Sequence, residues 1–130
     1  MEKLNLKYKD LIRAIKTFKA ILDEPYSLIV RDASIQRFEY TFEIFWKFIR
    51  EYLKEKEGLI VNSPKKCFRE LFAVGMINEA DTILLLEITD KRNDTVHTYK
   101  EYIAEKIYEE LPVYYHKICE VIKVLDTDIL

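Results

Sequence analysis

Four residues with the means to handle a phosphate ester fall close together: Arg92, Asn93, His97 and Tyr99, within the run Asp90-Lys91-Arg92-Asn93-Asp94-Thr95-Val96-His97-Thr98-Tyr99. This is the longest strongly polar run between two apolar stretches, and it holds one of only two histidines in the chain. An imidazole takes or gives a proton near neutral pH, the service a ribose 2′-hydroxyl needs to attack its own phosphate. A guanidinium grips that phosphate through parallel donors and stabilises the charge that builds on it. One arginine and one histidine therefore suffice in principle to cleave RNA without metal. On a continuous helix Asn93 and His97 share a face, four residues apart. Arg92 and His97, five apart, lie about 140° from each other and meet only where the helix unwinds or bends. A bland arrangement uses the same residues: Arg92 paired with an acid such as Asp94, and His97 at a helix end.

The remaining chemistry is sparse. Cys67 and Cys119 with His97 and His116 have no metal-ligand spacing, so no metal site is expected and the thiols read as buried. No glycine-rich phosphate loop is present, so the chain is not expected to bind and hydrolyse ATP by itself. His116 reads as a surface or satisfied histidine, and Tyr114 and Tyr115 as core or dimer contacts. The 21 Lys and Arg against 23 Asp and Glu give a formal charge of -2, so RNA could be held only on a local patch. Lys9, Arg13 and Lys16 form one candidate stripe, and Lys65, Lys66 and Arg69 another. Neither a signal-peptide core nor an apolar run of membrane-spanning length is present, which points to the cytoplasm and to no membrane partner.

Helices must position these groups. The chain has 130 residues, nearly half of them hydrophobic, with only 2 Gly and 3 Pro. That length suits one domain, and so few breakers suit long helices. Leu4, Tyr8, Leu11, Ile15, Phe18 and Leu22 mark one helix face, ended by Asp23-Glu24-Pro25. A second helix is expected from about Ser27 to Lys56, its aromatics Phe38, Phe42, Phe45 and Phe48 read as core rather than a base-stacking platform. Gly58 ends it in a left-handed conformation. Ser63 caps and Pro64 starts a short third helix whose Phe68, Leu71 and Phe72 face inward, closed by Gly75. Asn78 caps a fourth, which contains the apolar Ile83, Leu84, Leu85, Leu86 and Ile88. The last helix runs from about Ile103 to Leu125 with a kink or restart at Pro112, and 126–130 reads as a frayed tail. The expected fold is all-α, one up-and-down four-helix bundle with a short additional helix and no internal repeat or linker.

The arginine, four residues, histidine, one residue, tyrosine spacing of Arg92 to Tyr99 resembles the signature of HEPN proteins encoded beside minimal nucleotidyltransferases. Ile29-Val30-Arg31-Asp32, then Ile35-Gln36-Arg37-Phe38-Glu39-Tyr40 with Glu43 and Lys47, is similar to the second helix of the subgroup called nucleotidyltransferase substrate-binding proteins. Ser63-Pro64 to Gly75 fits the short third helix of that subgroup, and the likeness covers roughly residues 3 to 125. The resemblance implies a HEPN-like bundle forming a two-fold homodimer whose two motifs face one cleft. It implies a toxin of a toxin–antitoxin pair, acting as a metal-independent endoribonuclease. Arg92 would hold the scissile phosphate, His97 would be general acid or base, and Asn93 would position one of them. Lys91 and Lys100 would contact RNA. Tyr99 matches the tyrosine that a partner minimal nucleotidyltransferase adenylylates with ATP and magnesium, so no cofactor is intrinsic to the chain. An alternative within the same family is a non-catalytic subunit that docks with the nucleotidyltransferase.

Overall fold

Apolar residues recur along this chain at three- and four-residue spacing, and each such stretch is one α-helix. A computed structural model describes residues 1–129, with side chains through Asp126, and within them the order is α1 (Glu2–Leu22), α2 (Leu28–Glu57), α3 (Pro64–Ala73), α4 (Glu79–Asp94), a 3₁₀ turn (Thr95–His97) and α5 (Glu101–Ile129). The four long helices and short α3 match the expected bundle. α1 packs along α2, α2 also lies on α5 and α3, and α4 is held between α3 and α5. α2 is the spine, about 45 Å long at 1.5 Å per residue.

Local sequence sets the helix ends. The Ser27 hydroxyl accepts the Val30 amide and starts α2, a cap worth about 1 kcal/mol. Gly58, at φ 68°, ends it, and Leu59 N donates back to the Leu53 carbonyl. A side chain would be strained at that φ. Asn78 and Asp81 form a reciprocal capping box at α4, and Lys117 of α5 reaches Asp81 at 2.7 Å. Ser63 departs from expectation: it occupies the first cap position of α3, but its side chain makes no capping hydrogen bond. Pro112 neither ends nor restarts α5, which is unbroken across it. The ring lies on the exposed side, so the carbonyl that loses its amide partner can be hydrated. The helix also runs through the stretch expected to fray, as far as Ile129; Leu130 lies outside the described residues.

The core is aromatic. Phe18, Phe38, Phe42, Phe45, Phe48 and Phe68 are fully buried, with Phe42 and Phe45 both against Phe68 at centroid separations of 6.2 and 5.9 Å. Burying each such ring contributes roughly 2 kcal/mol. Phe38, Phe42, Phe45 and Phe48 of α2 thus hold the bundle together and offer no face to a base. One expectation fails at the rim. Phe72, expected inward, is 45% exposed because an apolar run longer than the buried stripe spills onto the surface, and Ile83 of α4 is 61% exposed in the same way. Cys67 is buried, which pushes its thiol up to about 11, whereas Cys119 is half-buried. His116 is exposed and packs edge-on to Tyr115, while Tyr114 is core. No helix among the described residues is long and apolar enough to cross a membrane.

Candidate functional site

The polar run is mostly helix. Asp90 to Asp94 complete the last turn of α4, and only then does the chain tighten into the 3₁₀ turn Thr95–His97. Thr95 makes the transition: it is buried, its hydroxyl donates to the Arg92 carbonyl at 2.6 Å, and it accepts from Arg92 Nη1 at 3.0 Å. A side chain that satisfies a carbonyl at a helix end favours leaving the α-helical path there. The unwinding that Arg92 and His97 need is therefore built into the sequence at Thr95.

It does not bring the two side chains together within one protomer. Arg92 turns toward α2, where Nη1 lies 3.5 Å from Glu39 Oε2 and Nε 3.5 Å from Glu43 Oε1. The Nε approach is a charge contact without hydrogen-bond alignment, since that buried nitrogen has no hydrogen-bond acceptor. Glu43 is itself anchored by the Trp46 indole at 3.1 Å. The acids holding Arg92 are thus on α2, and Asp94 is not one of them. His97 is exposed, edge-on to the Tyr99 ring at 6.0 Å. Tyr99 is 73% exposed, and Lys100 Nζ stands 5.9 Å from its centroid on the ring face. His97, Tyr99 and Lys100 therefore form one open group, while Arg92 sits inward and Asn93 is exposed. Lys91 is half-buried in the same last turn of α4. Among the described residues, no hydrogen bond or ring contact joins Arg92 to His97.

A second device fixes the start of α5. Arg31, with 3% of its side chain exposed, reaches Glu101 at 2.6 Å and Glu105 at 2.9 Å on α5, and Asp32 at 3.0 Å on its own helix. Tyr26 also donates to Glu105 and meets Tyr108 ring to ring. The bonds from Arg31 hold the Glu101 carboxyl below its ordinary range; those from Tyr26 and then Arg31 do so for Glu105. The α2–α5 clamp begins two residues after Tyr99, so it sets where the His97–Tyr99 loop emerges. Glu39, Glu43, Thr95, Arg31, Glu101 and Glu105 were not legible as site residues. The available signal was the spacing of Glu39 and Glu43, which puts two acids four apart on one face of α2.

The model of the family described as nucleotidyltransferase substrate binding protein like matches residues 6–127. The chain belongs to that family. Among solved structures, a protein of Thermus thermophilus is 43% identical, with 87% of this chain and 96% of that one aligned at a TM-score of 0.83. Two complexes share the fold at 16% identity. One is the tri-AMPylated Shewanella oneidensis HEPN toxin in complex with MNT antitoxin, TM-score 0.77, covering 95% of this chain and 96% of that chain. The other is a mutant of the MntA–HpeT toxin–antitoxin, TM-score 0.81, covering 98% and 99%. Among curated proteins none matches. The HEPN-like fold and the family membership expected from Arg92 to Tyr99 and the α2 run hold.

Proposed function

We propose that this family member is the HEPN toxin of a toxin–antitoxin pair, a metal-independent endoribonuclease silenced by adenylylation of Tyr99. The observation that carries this reading is the open contact of His97 with Tyr99, one turn past Arg92. His97 is free to take the 2′-hydroxyl proton of a bound strand. The freed oxygen attacks the adjacent phosphorus, the bond to the 5′-oxygen breaks, and the leaving oxygen collects a proton, leaving a 2′,3′-cyclic phosphate and a 5′-hydroxyl end. Arg92 neutralises the crowded phosphorane, and Asn93 and Lys91 steady the phosphate beside it. Two protomers in a homodimer would place two such motifs across one cleft, which answers the separation of Arg92 from His97 within a protomer. Exposed Val96 and Tyr102, 66% and 69%, give that end of the molecule the apolar surface an interface needs.

The same contact explains silencing. A partner minimal nucleotidyltransferase, using ATP and magnesium, would join the Tyr99 hydroxyl to the α-phosphorus and release pyrophosphate. The attached AMP would then stand beside His97 and Lys100, adding bulk and negative charge where RNA phosphate must enter. No cofactor of the chain's own enters this scheme. A second reading keeps the partner and drops the nuclease: the exposed Val96–Tyr102 surface docks the nucleotidyltransferase, and the subunit is not catalytic. The fully unmodified chain incubated with RNA and a chelator separates them. Cleavage that disappears in His97→Ala, with helicity intact, supports the toxin; RNA left whole at high protein concentration, with co-elution of the partner, leaves the docking subunit.

A further inference from the structure

Away from the motif, the connection between α2 and α3 borders a surface groove. Its larger part, about 610 Å³, is lined by Asn62, Ser63, Lys66, Arg69 and Glu70. A smaller part of about 180 Å³ continues across Ile60 to Asn62 toward Lys3, Arg50, Glu51 and Lys54. Five cations from three helices thus converge on one groove in a chain whose formal charge is -2. Among the described residues none of the five has a carboxylate partner, whereas Lys65, the neighbour of Lys66, is tied to Asp90 at 2.6 Å. Arg50 lies on the face of Trp46, 5.1 Å from its centroid, which orients the guanidinium and leaves its edge donors available.

Two further features point to a ribose phosphate. The uncapped start of α3 opens at Ser63 on the lip of the groove, where free amides and the helix dipole favour an anion. On the floor Glu51, 4% exposed, has no hydrogen-bond or ion-pair partner among the described residues. A carboxylate facing a phosphate-binding groove is an acceptor for a hydroxyl, and RNA brings one on every ribose. The groove is also in line with the motif. Arg50 stacks on Trp46, Trp46 donates to Glu43, and Glu43 faces Arg92, all along one side of α2. Glu43 to Arg50 is a rise of about 10 Å.

We propose that this groove binds the backbone of single-stranded RNA flanking the bond held at the Arg92–His97 motif. The choice of RNA rests on the nuclease reading; the groove's capacity for phosphates does not. The test uses the full chain carrying His97→Ala, so that RNA stays whole, and fluorescence anisotropy with a short labelled oligouridylate at low and raised salt. Lys66→Glu with Arg69→Glu in that background should weaken binding about tenfold or more and flatten the salt dependence by about two counter-ions. The neutral pair Lys66→Gln with Arg69→Gln should weaken it about threefold, and serves alone if the charge reversal fails to fold. Lys9→Glu with Lys16→Glu, of equal charge change on exposed α1, should change affinity less than twofold. Groove variants that bind within twofold of the parent overturn the inference, as does equal weakening by the α1 pair, or binding of ATP with none of RNA. Loss of RNA binding in the groove variants, beside a native chain that cuts no RNA, would leave the groove standing and the nuclease reading fallen.

Discussion

The two ends of α2 treat their cations in opposite ways. Toward the α4–α5 junction, Arg31 is held by Asp32, Glu101 and Glu105, and Arg92 by Glu39 and Glu43. Around the α2–α3 connection, Lys3, Arg50, Lys54, Lys66 and Arg69 line a groove with no ion pair among the described residues. A guanidinium already facing carboxylates is oriented and partly desolvated, so a phosphate must displace or share those partners and gains little net affinity. A free surface cation releases a counter-ion on binding and contributes affinity directly. The junction is therefore suited to aiming groups and the groove to gripping a polyanion.

The largest effect expected from this division is at His97. Replacing it by alanine should lower RNA cleavage at least a hundredfold, while RNA affinity stays within threefold, because the imidazole is exposed and its ring contact is with the equally exposed Tyr99. Comparable loss of binding would mean that His97 grips RNA instead of only cleaving it. Next is Arg31→Ala, expected to cost about 2 kcal/mol of stability by removing a buried side chain and its carboxylate contacts. Urea unfolding would measure this. The pH sense is set by Glu101 and Glu105, whose carboxyls are held below their ordinary range. The unfolded chain binds more protons there, so their contribution is present above the ordinary carboxylate range and is lost as pH falls through the depressed values. Melting followed across that acid window should slope less in Arg31→Ala than in the native chain. Smaller still, Glu39→Gln with Glu43→Gln should raise RNA affinity about fivefold by freeing Arg92, a difference of about 1 kcal/mol. Unchanged affinity in that pair would mean that phosphate never reaches the guanidinium.

Much of the bundle was legible because helix spacing, Ser27, Gly58 and Asn78 each act within a few residues of chain. The motif residues were legible as a constellation for the same reason. The partners of Arg92 were not, since Glu39 and Glu43 lie some fifty residues away and only α2–α4 packing brings them close. Local reasoning also misjudged Phe72, whose apolar type says nothing of which side a neighbouring helix covers. The groove was half visible: Lys66 and Arg69 stood out as a stripe, but Lys3, Arg50 and Lys54 join them only through the turn after Gly58.

The division of labour along α2 is tested most directly by steady-state cleavage of one RNA by the groove pair, Lys66→Glu with Arg69→Glu, in an otherwise native chain. Half-saturation should move to about tenfold more RNA while the rate at saturation falls less than twofold. A fall in the saturated rate with half-saturation unmoved would contradict it.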